Sequence, residues 1–355
     1  MLLSVTDLSE HKAITRSDLI EAYLKTVFSP AAHKPDFATK DVSAILRSVA
    51  EKLAFDRLEQ QSIGVLELQV RKVLEEVATD TDEATFLFDR LQINGVLKRQ
   101  SSVRLSFPYP IVQEYLAACF LVAEHPKSIG TRIDDAVQRP WAQVLQFALE
   151  LHDCPEPILK EMANADQDAF CSGLRLVGRC IANGASVSSE FRDLVGDRLA
   201  DYWSGSPFRS RDQVGRLVLD GFAENPTPKL KRTLHKAWLI QGGAGDIISK
   251  INDKALTLSV TASLLESDRS SFMYYRSLQP ALNSVGDAVL ELIVSKLEMP
   301  EVTGERAEQL ASMIGNLSAT GVSRDFALTV ARNTSLPLPA RSLAYGAAGA
   351  PLPND

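Results

Sequence analysis

Residues 96–107 read Val96-Leu97-Lys98-Arg99-Gln100-Ser101-Ser102-Val103-Arg104-Leu105-Ser106-Phe107. From Val103 to Phe107 apolar and polar side chains alternate strictly, the pattern of a strand with one buried face, and Val96 to Arg99 supplies a partner strand across Gln100-Ser101-Ser102. This hairpin is almost the only strand signal in the chain. Residues 43–58 place Ile45, Leu46, Val49 and Leu53 on one helical face, and residues 63–78 do the same with Ile63, Leu66, Val70, Val73, Leu74 and Val77. A further helix starts near Thr81-Asp82, runs through Phe86, Leu87 and Leu91, and stops where Gly95 can take the left-handed cap. Three helices followed by a hairpin are the order of a winged helix.

On the N-terminal side, Ser17-Asp18 can cap a helix through Ile20, Tyr23, Leu24 and Val27, which Pro30 to Pro35 interrupts. On the C-terminal side, Pro110 suits the first turn of a helix, where its missing N–H has no partner to lose, and Ile111, Val112, Tyr115, Leu116, Cys119 and Phe120 continue that helix's apolar face. From Trp141 onward short helices alternate with Gly, Pro, Asn or Ser breaks, among them Trp141–Leu151, Ala169–Ala182, Phe191–Trp203, Val214–Ala223, Leu230–Ile240, Ala281–Leu297 and Arg306–Leu317. Helix after helix with brief turns predicts stacked helical pairs. The expected fold is therefore mainly α. It comprises a helical segment over 1–40, a winged-helix domain over 41–125 with its wing hairpin at about 96–107, and HEAT-like α-helical repeats over 137–355. Pro337 to Tyr345 reads as the start of one more repeat helix, so the array is expected to end open or to continue.

With 45% hydrophobic and 23% charged side chains the chain can bury a sizeable core, which excludes disorder as the main state. No window approaches the roughly 20 apolar residues of a membrane span, and no basic and apolar leader opens the chain, so a cytoplasmic protein is expected. The four cysteines (Cys119, Cys154, Cys171, Cys180) lack zinc-knuckle spacing and read as reduced core thiols, with Cys119, Cys154 and Cys180 in apolar surroundings, and the five histidines show no paired spacing, so no metal site is expected. The net charge of -7 disfavours a dedicated nucleic-acid binder, and residues 1–125 carry 14 basic against 18 acidic side chains, which weakens a DNA-binding role for Lys98, Arg99 and Arg104 on the wing. Between residues 205 and 240, however, Arg209, Arg211, Arg216, Lys229, Lys231, Arg232 and Lys236 face three acids, Asp212, Asp220 and Glu224. Flanked by Trp203, Phe208 and Trp238, these seven are partner-binding candidates on a repeat surface; the competing expectation is a solvated face over buried tryptophans.

Directly after the hairpin the chain reads Phe107-Pro108-Tyr109-Pro110-Ile111-Val112-Gln113-Glu114-Tyr115-Leu116-Ala117-Ala118. This resembles the NACHT-type members of the STAND signalling ATPases, whose winged helix ends in Phe-x-His before a helix reading Gln-Glu-Tyr/Phe-x-Ala-Ala. Phe107, Gln113, Glu114, Tyr115, Ala117 and Ala118 match in the family's spacing. Leu2-Leu3-Ser4 with Arg16 to Tyr23 resembles the helical segment that follows the family's ATPase core. Leu87 to Leu91 with Asn94 to Leu97 resembles the approach to its wing, and Trp141 to Ala148 its first repeat helix. The family's histidine contacts nucleotide phosphate; Tyr109 stands in that place and is the nucleotide-sensing candidate, able to donate a hydrogen bond but not to carry an imidazolium charge. A partly buried tyrosine between two prolines is the plainer alternative.

No P-loop is present: Gln241-Gly242-Gly243-Ala244-Gly245-Asp246 lacks the lysine and reads as an interhelical turn. His152-Asp153-Cys154 likewise reads as a turn, so no catalytic residue is assigned and no enzyme is expected in this chain. The resemblance implies that the chain begins just after the ATPase core, that ATP or ADP and magnesium belong to that missing core, and that no cofactor is held here. It implies the regulatory and ligand-sensing portion of a nucleotide switch in immune or antiphage defence. The repeats would bind a protein trigger, the winged helix would meet the parent's ATPase core, and oligomerisation would follow activation, without membrane or nucleic acid. The alternatives are a stand-alone helical-repeat scaffold for protein–protein interaction and, behind it, a winged-helix DNA-binding protein.

Overall fold

The structure, a computed structural model, describes residues 15–29, 41–132, 140–205, 208–238, 243–267, 272–315, 317 and 321–349. The expected helical segment at Leu2-Leu3-Ser4 and the breaker from Pro30 to Pro35 lie outside these residues. The described residues form nineteen helices and one small sheet, so the fold is mainly α with a short hairpin and helical repeats. No helix among them is long and apolar enough to cross a membrane. The chain packs as two compact units, residues 1–192 and 193–355.

The first unit opens with α1 (Arg16–Phe28), which buries Ile20, Leu24, Val27 and Phe28 along one face. Its cap is Thr15 rather than Ser17: the Thr15 hydroxyl accepts from the Asp18 amide and the Asp18 carboxylate accepts from the Thr15 amide, a reciprocal pair that satisfies two free helix-end donors. Ser17 instead reaches Glu150. Then come α2 (Ser43–Glu59), β1 (Val65–Leu66), α3 (Glu67–Val77), α4 (Thr81–Ile93), β2 (Lys98–Arg99) and β3 (Arg104–Ser106). The sheet order is β1-β3-β2, all antiparallel, with Val65 opposite Leu105, Leu66 opposite Arg104 and Lys98 opposite Ser106. Helix, strand, two helices and a hairpin that takes the first strand onto its edge make the connectivity of a winged helix.

Residues 63–66 correct the expected helix over 63–78. Ile63 and Leu66 fit the helical period of Val70 and Val73, yet Leu66 pairs with the wing, and Ile63, Leu66 and Val77 stand exposed. α4 behaves as expected: Asp80 caps it and Gly95, at φ +74°, ends it.

Next is α5 (Pro110–Glu124), with Pro110 in its first turn, followed by α6 (Ser128–Thr131), α7 (Trp141–Leu151), α8 (Glu156–Asn164) and α9 (Ser172–Ala182). α5 packs on α2 and on α7, with Leu116, Ala117, Ala118 and Leu121 fully buried between them. Ala117 and Ala118 keep that layer thin, so the winged helix shares its core with the first repeat helices.

After α10 (Ser189–Gly205) the second unit continues through α11 (Phe208–Gly221), α12 (Pro228–Ala237), α13 (Ala244–Ile251), α14 (Lys254–Glu266), α15 (Phe272–Ser284), α16 (Gly286–Leu297), α17 (Gly304–Ile314), α18 (Arg324–Arg332) and α19 (Leu338–Ala347). α12 packs on α14, α14 on α16 and α16 on α18, while α11 packs on α13, α13 on α15 and α17 on α19. Helices two apart in sequence thus stack in two layers, the arrangement of a helical-repeat array. Helix caps tie one layer: the Thr227 hydroxyl, which caps α12, donates to Asp197 of α10 at 2.5 Å, and the Ser323 amide at the start of α18 donates to Asp287 of α16 at 2.6 Å.

The single helix expected over 281–297 is two, α15 and α16, broken at Val285. Gly286 explains the break, because its α-carbon lies so close to the Gly321 carbonyl that an added Cβ would sit 1.9 Å from that oxygen. Gly286→Ala is expected to destabilise the second unit by about 3 kcal/mol through this overpacking. Gly346→Ala, which meets open space in α19, is expected to be neutral or stabilising. Denaturant unfolding of the two variants checks the contrast, and equal stability would contradict the close approach.

Candidate functional site

The region around α5 holds the residues singled out by sequence, and it sorts them by depth. Phe107 is buried behind the sheet, and Tyr115, Ala117 and Ala118 face the core. Gln113 is buried at 4% exposure, with no hydrogen-bond partner for Nε2 among the described residues. Glu114 is half-buried. Tyr109 alone of the set projects outward, 53% exposed at the N-cap of α5, its ring edge-on to Tyr23 of α1 with centroids 6.0 Å apart. Among the described residues no side chain caps that helix end, so its positive end and the Tyr109 hydroxyl together suit a phosphate or carboxylate oxygen. One contact of this kind fits a nucleotide held elsewhere. It does not amount to a nucleotide cradle.

Behind Tyr109 lies a charge cluster with no signature in the sequence pattern. Arg47 of α2 holds Glu21 of α1 through Nη1 at 2.5 Å and Nη2 at 2.9 Å, and Glu51 through Nε at 2.8 Å. The Tyr115 hydroxyl donates to Glu21 at 3.2 Å, and Cys119 lies 4.0 Å from Arg47. Burial alone would raise the Glu21 pKa, but the bonds from Arg47 and Tyr115 outweigh it and hold the carboxyl below the ordinary glutamate range. For Glu51 burial wins over Arg47 and the pKa is raised. Burial pushes the Cys119 thiol up to about 12, which keeps it protonated and unreactive at neutral pH.

A second cluster fastens the N-terminal end of α1. Glu150 of α7, its side chain 2% exposed, accepts from Gln146 at 2.7 Å, Asn183 at 3.0 Å, Ser17 at 3.2 Å and Arg16 at 3.4 Å. Arg16 also lies over the Phe147 ring at 4.1 Å, and Phe147 meets Tyr115 edge-on at 5.3 Å. α1 is thus pinned by polar bonds at its N-terminal end and at its middle, and by apolar packing along Ile20, Leu24, Val27 and Phe28. The turn at His152 is as expected, with His152 Nδ1 accepting from the Cys154 amide at 2.9 Å; Cys154, expected in the core, is exposed because it lies in this turn, whereas Cys180 on α9 is buried.

The basic candidates of the second unit do not form one free patch. Lys229 pairs with Asp201 and Lys231 with Asp253, each at 2.5 Å. Arg216, Arg232 and Lys236 are exposed, Arg211 is half-buried, and Arg209 lies outside the residues whose side chains are described. Trp203 and Trp238 are core residues. Comparison with known proteins finds no family model that matches the chain and no curated protein similar to it in sequence.

Because the Glu21 pKa is depressed in the folded chain, its ionised form contributes stability above the unfolded glutamate pKa, and that contribution is lost as pH falls through the lower folded value. Glu21→Gln is therefore expected to lower the melting temperature at pH 7, and the gap from wild type is expected to close as the pH falls below the ordinary glutamate range. Thermal melts across that range check it; a gap of constant size would contradict the Arg47–Glu21 clamp.

Proposed function

We propose that this chain is the control and ligand-recognition portion of a NACHT-type STAND nucleotide switch, acting by binding rather than by catalysis of its own. Tyr109 carries this proposal. It occupies the family's histidine position, directly after the wing, and is the one residue of the motif presented outward at an uncapped helix end. The ATPase core of the parent protein, with its ATP or ADP and magnesium, is the partner proposed to meet that face. A protein trigger is proposed for the helical repeats, with oligomerisation and defence signalling in the cytoplasm as the output. A stand-alone repeat scaffold is the second reading, favoured by the shared core between the winged helix and α7, which would let the winged helix serve as a cap on the array.

The genomic reading frame separates the two: an in-frame strand, P-loop and helix upstream supports the switch, and their absence favours the scaffold. In the protein carrying that core, Tyr109→Phe keeps the ring against Tyr23 and removes only the hydroxyl. Loss of one hydrogen bond to a charged oxygen, about 1.5–3 kcal/mol, is expected to weaken ADP binding roughly 10- to 100-fold. Calorimetric titration reads it, and unchanged affinity would contradict a phosphate contact at Tyr109.

A further inference from the structure

The outer face of the wing sheet is unlike the rest of the first unit. In the paired register Val65 and Leu105 point to the core, so Leu66, Arg104, Lys98 and Ser106 share the opposite face. Leu66, Arg104 and Lys98 are exposed there, and no acidic side chain pairs with either cation among the described residues. Glu67, at the start of α3, is already held by Arg71 at 2.7 Å and Arg99 at 2.9 Å.

Ser106 of this face also lines a hollow of about 230 Å³. Its apolar walls include Pro110, Val65, Phe107 and Ile63, the last 74% exposed, and beside Ser106 its polar lining is Arg57, Gln100 and Gln113, with no acidic residue among the described ones. Gln113 is buried there with its amide nitrogen unpartnered, a donor whose loss of water is uncompensated in the free protein. The surface therefore combines three cations, Arg57, Lys98 and Arg104, an unpartnered amide donor and two exposed aliphatic side chains. Cations with amide donors fit carboxylates, and Ile63 with Leu66 fit apolar side chains. A phosphate backbone would satisfy the cations but would leave Ile63 and Leu66 without an apolar partner, so the composition favours protein over nucleic acid.

We propose that the outer wing face and its adjoining hollow form a docking site for an acidic, amphipathic segment of a partner protein, with aliphatic side chains seated on Ile63 and Leu66 and a carboxylate read by Arg57, Gln100 and Gln113. The site is independent of the nucleotide contact at Tyr109 and would hold whether or not that contact exists.

Fluorescence anisotropy on the whole chain tests it, with a short labelled peptide of Glu and Leu as the probe. Control peptides carry Gln in place of Glu or Ser in place of Leu, and a labelled DNA duplex is the competing ligand. The Glu/Leu peptide is expected to bind, with each control roughly tenfold weaker. The double variant Lys98→Glu with Arg104→Glu and the single variant Leu66→Ser are each expected to weaken binding by roughly tenfold, while Lys254→Glu, exposed in the second unit, leaves it unchanged. Gln113→Leu keeps the side chain buried while removing the amide, and is expected to cost affinity with stability equal to or above wild type. Absence of peptide binding, equal binding of the Gln control, unchanged affinity in the double variant or in Gln113→Leu, or tighter binding of the duplex would each overturn the proposal.

Discussion

Helix α5 is the element on which the first unit depends. Its inner face is made of two alanines flanked by leucines, all fully buried, and it packs on α2 and α7 at once. Burial of each large side chain contributes on the order of 1.5–3 kcal/mol, but the alanines matter for geometry: with no side chain beyond Cβ they let helices approach from both sides. The position of α5 fixes three other things. Its first turn follows β3 by way of Phe107, so the wing is anchored to it; its Tyr115 bonds Glu21 and meets Phe147, so α1 and α7 are referenced to it; and its N-cap puts Tyr109 at the surface.

Polar bonds supply specificity where the apolar core is general. α1 packs on α2 and α5 through apolar side chains, but Arg47 at its middle and Glu150 at its N-terminal end meet partners that exist in only one register. Such half-buried clusters contribute little net stability because desolvation offsets their attraction. They are costly to break singly, since removal of one partner leaves the other buried and unpaired. The carboxylates of the second unit work similarly, with Asp197 and Asp287 each holding the cap of the next helix in its layer.

The alternation from Val103 to Phe107 and the helical periods around it made the winged helix and the repeats legible before any coordinates. Legibility failed where contacts are non-local or elements very short. β1 has two residues, too few to show alternation, and its Leu66 keeps helical phase with Val70, so periodicity alone assigns it to α3. The split of α15 from α16 is decided by Gly321, 35 residues beyond Gly286 in the chain. Glu21 and Arg47 stand 26 residues apart, a separation that no spacing rule joins. At the candidate site, the burial of Gln113 was not visible because its neighbour Glu114 has the same polar character.

The central claim is that the winged helix and the first repeat helices are one cooperative body joined through α5. Native-state hydrogen exchange, resolved to individual helices, tests it most directly. Slow amides of α2, α5 and α7 are predicted to share a single opening free energy and the same denaturant dependence. Exchange of α7 with a distinctly lower opening free energy, while α2 and α5 stay protected, would contradict it.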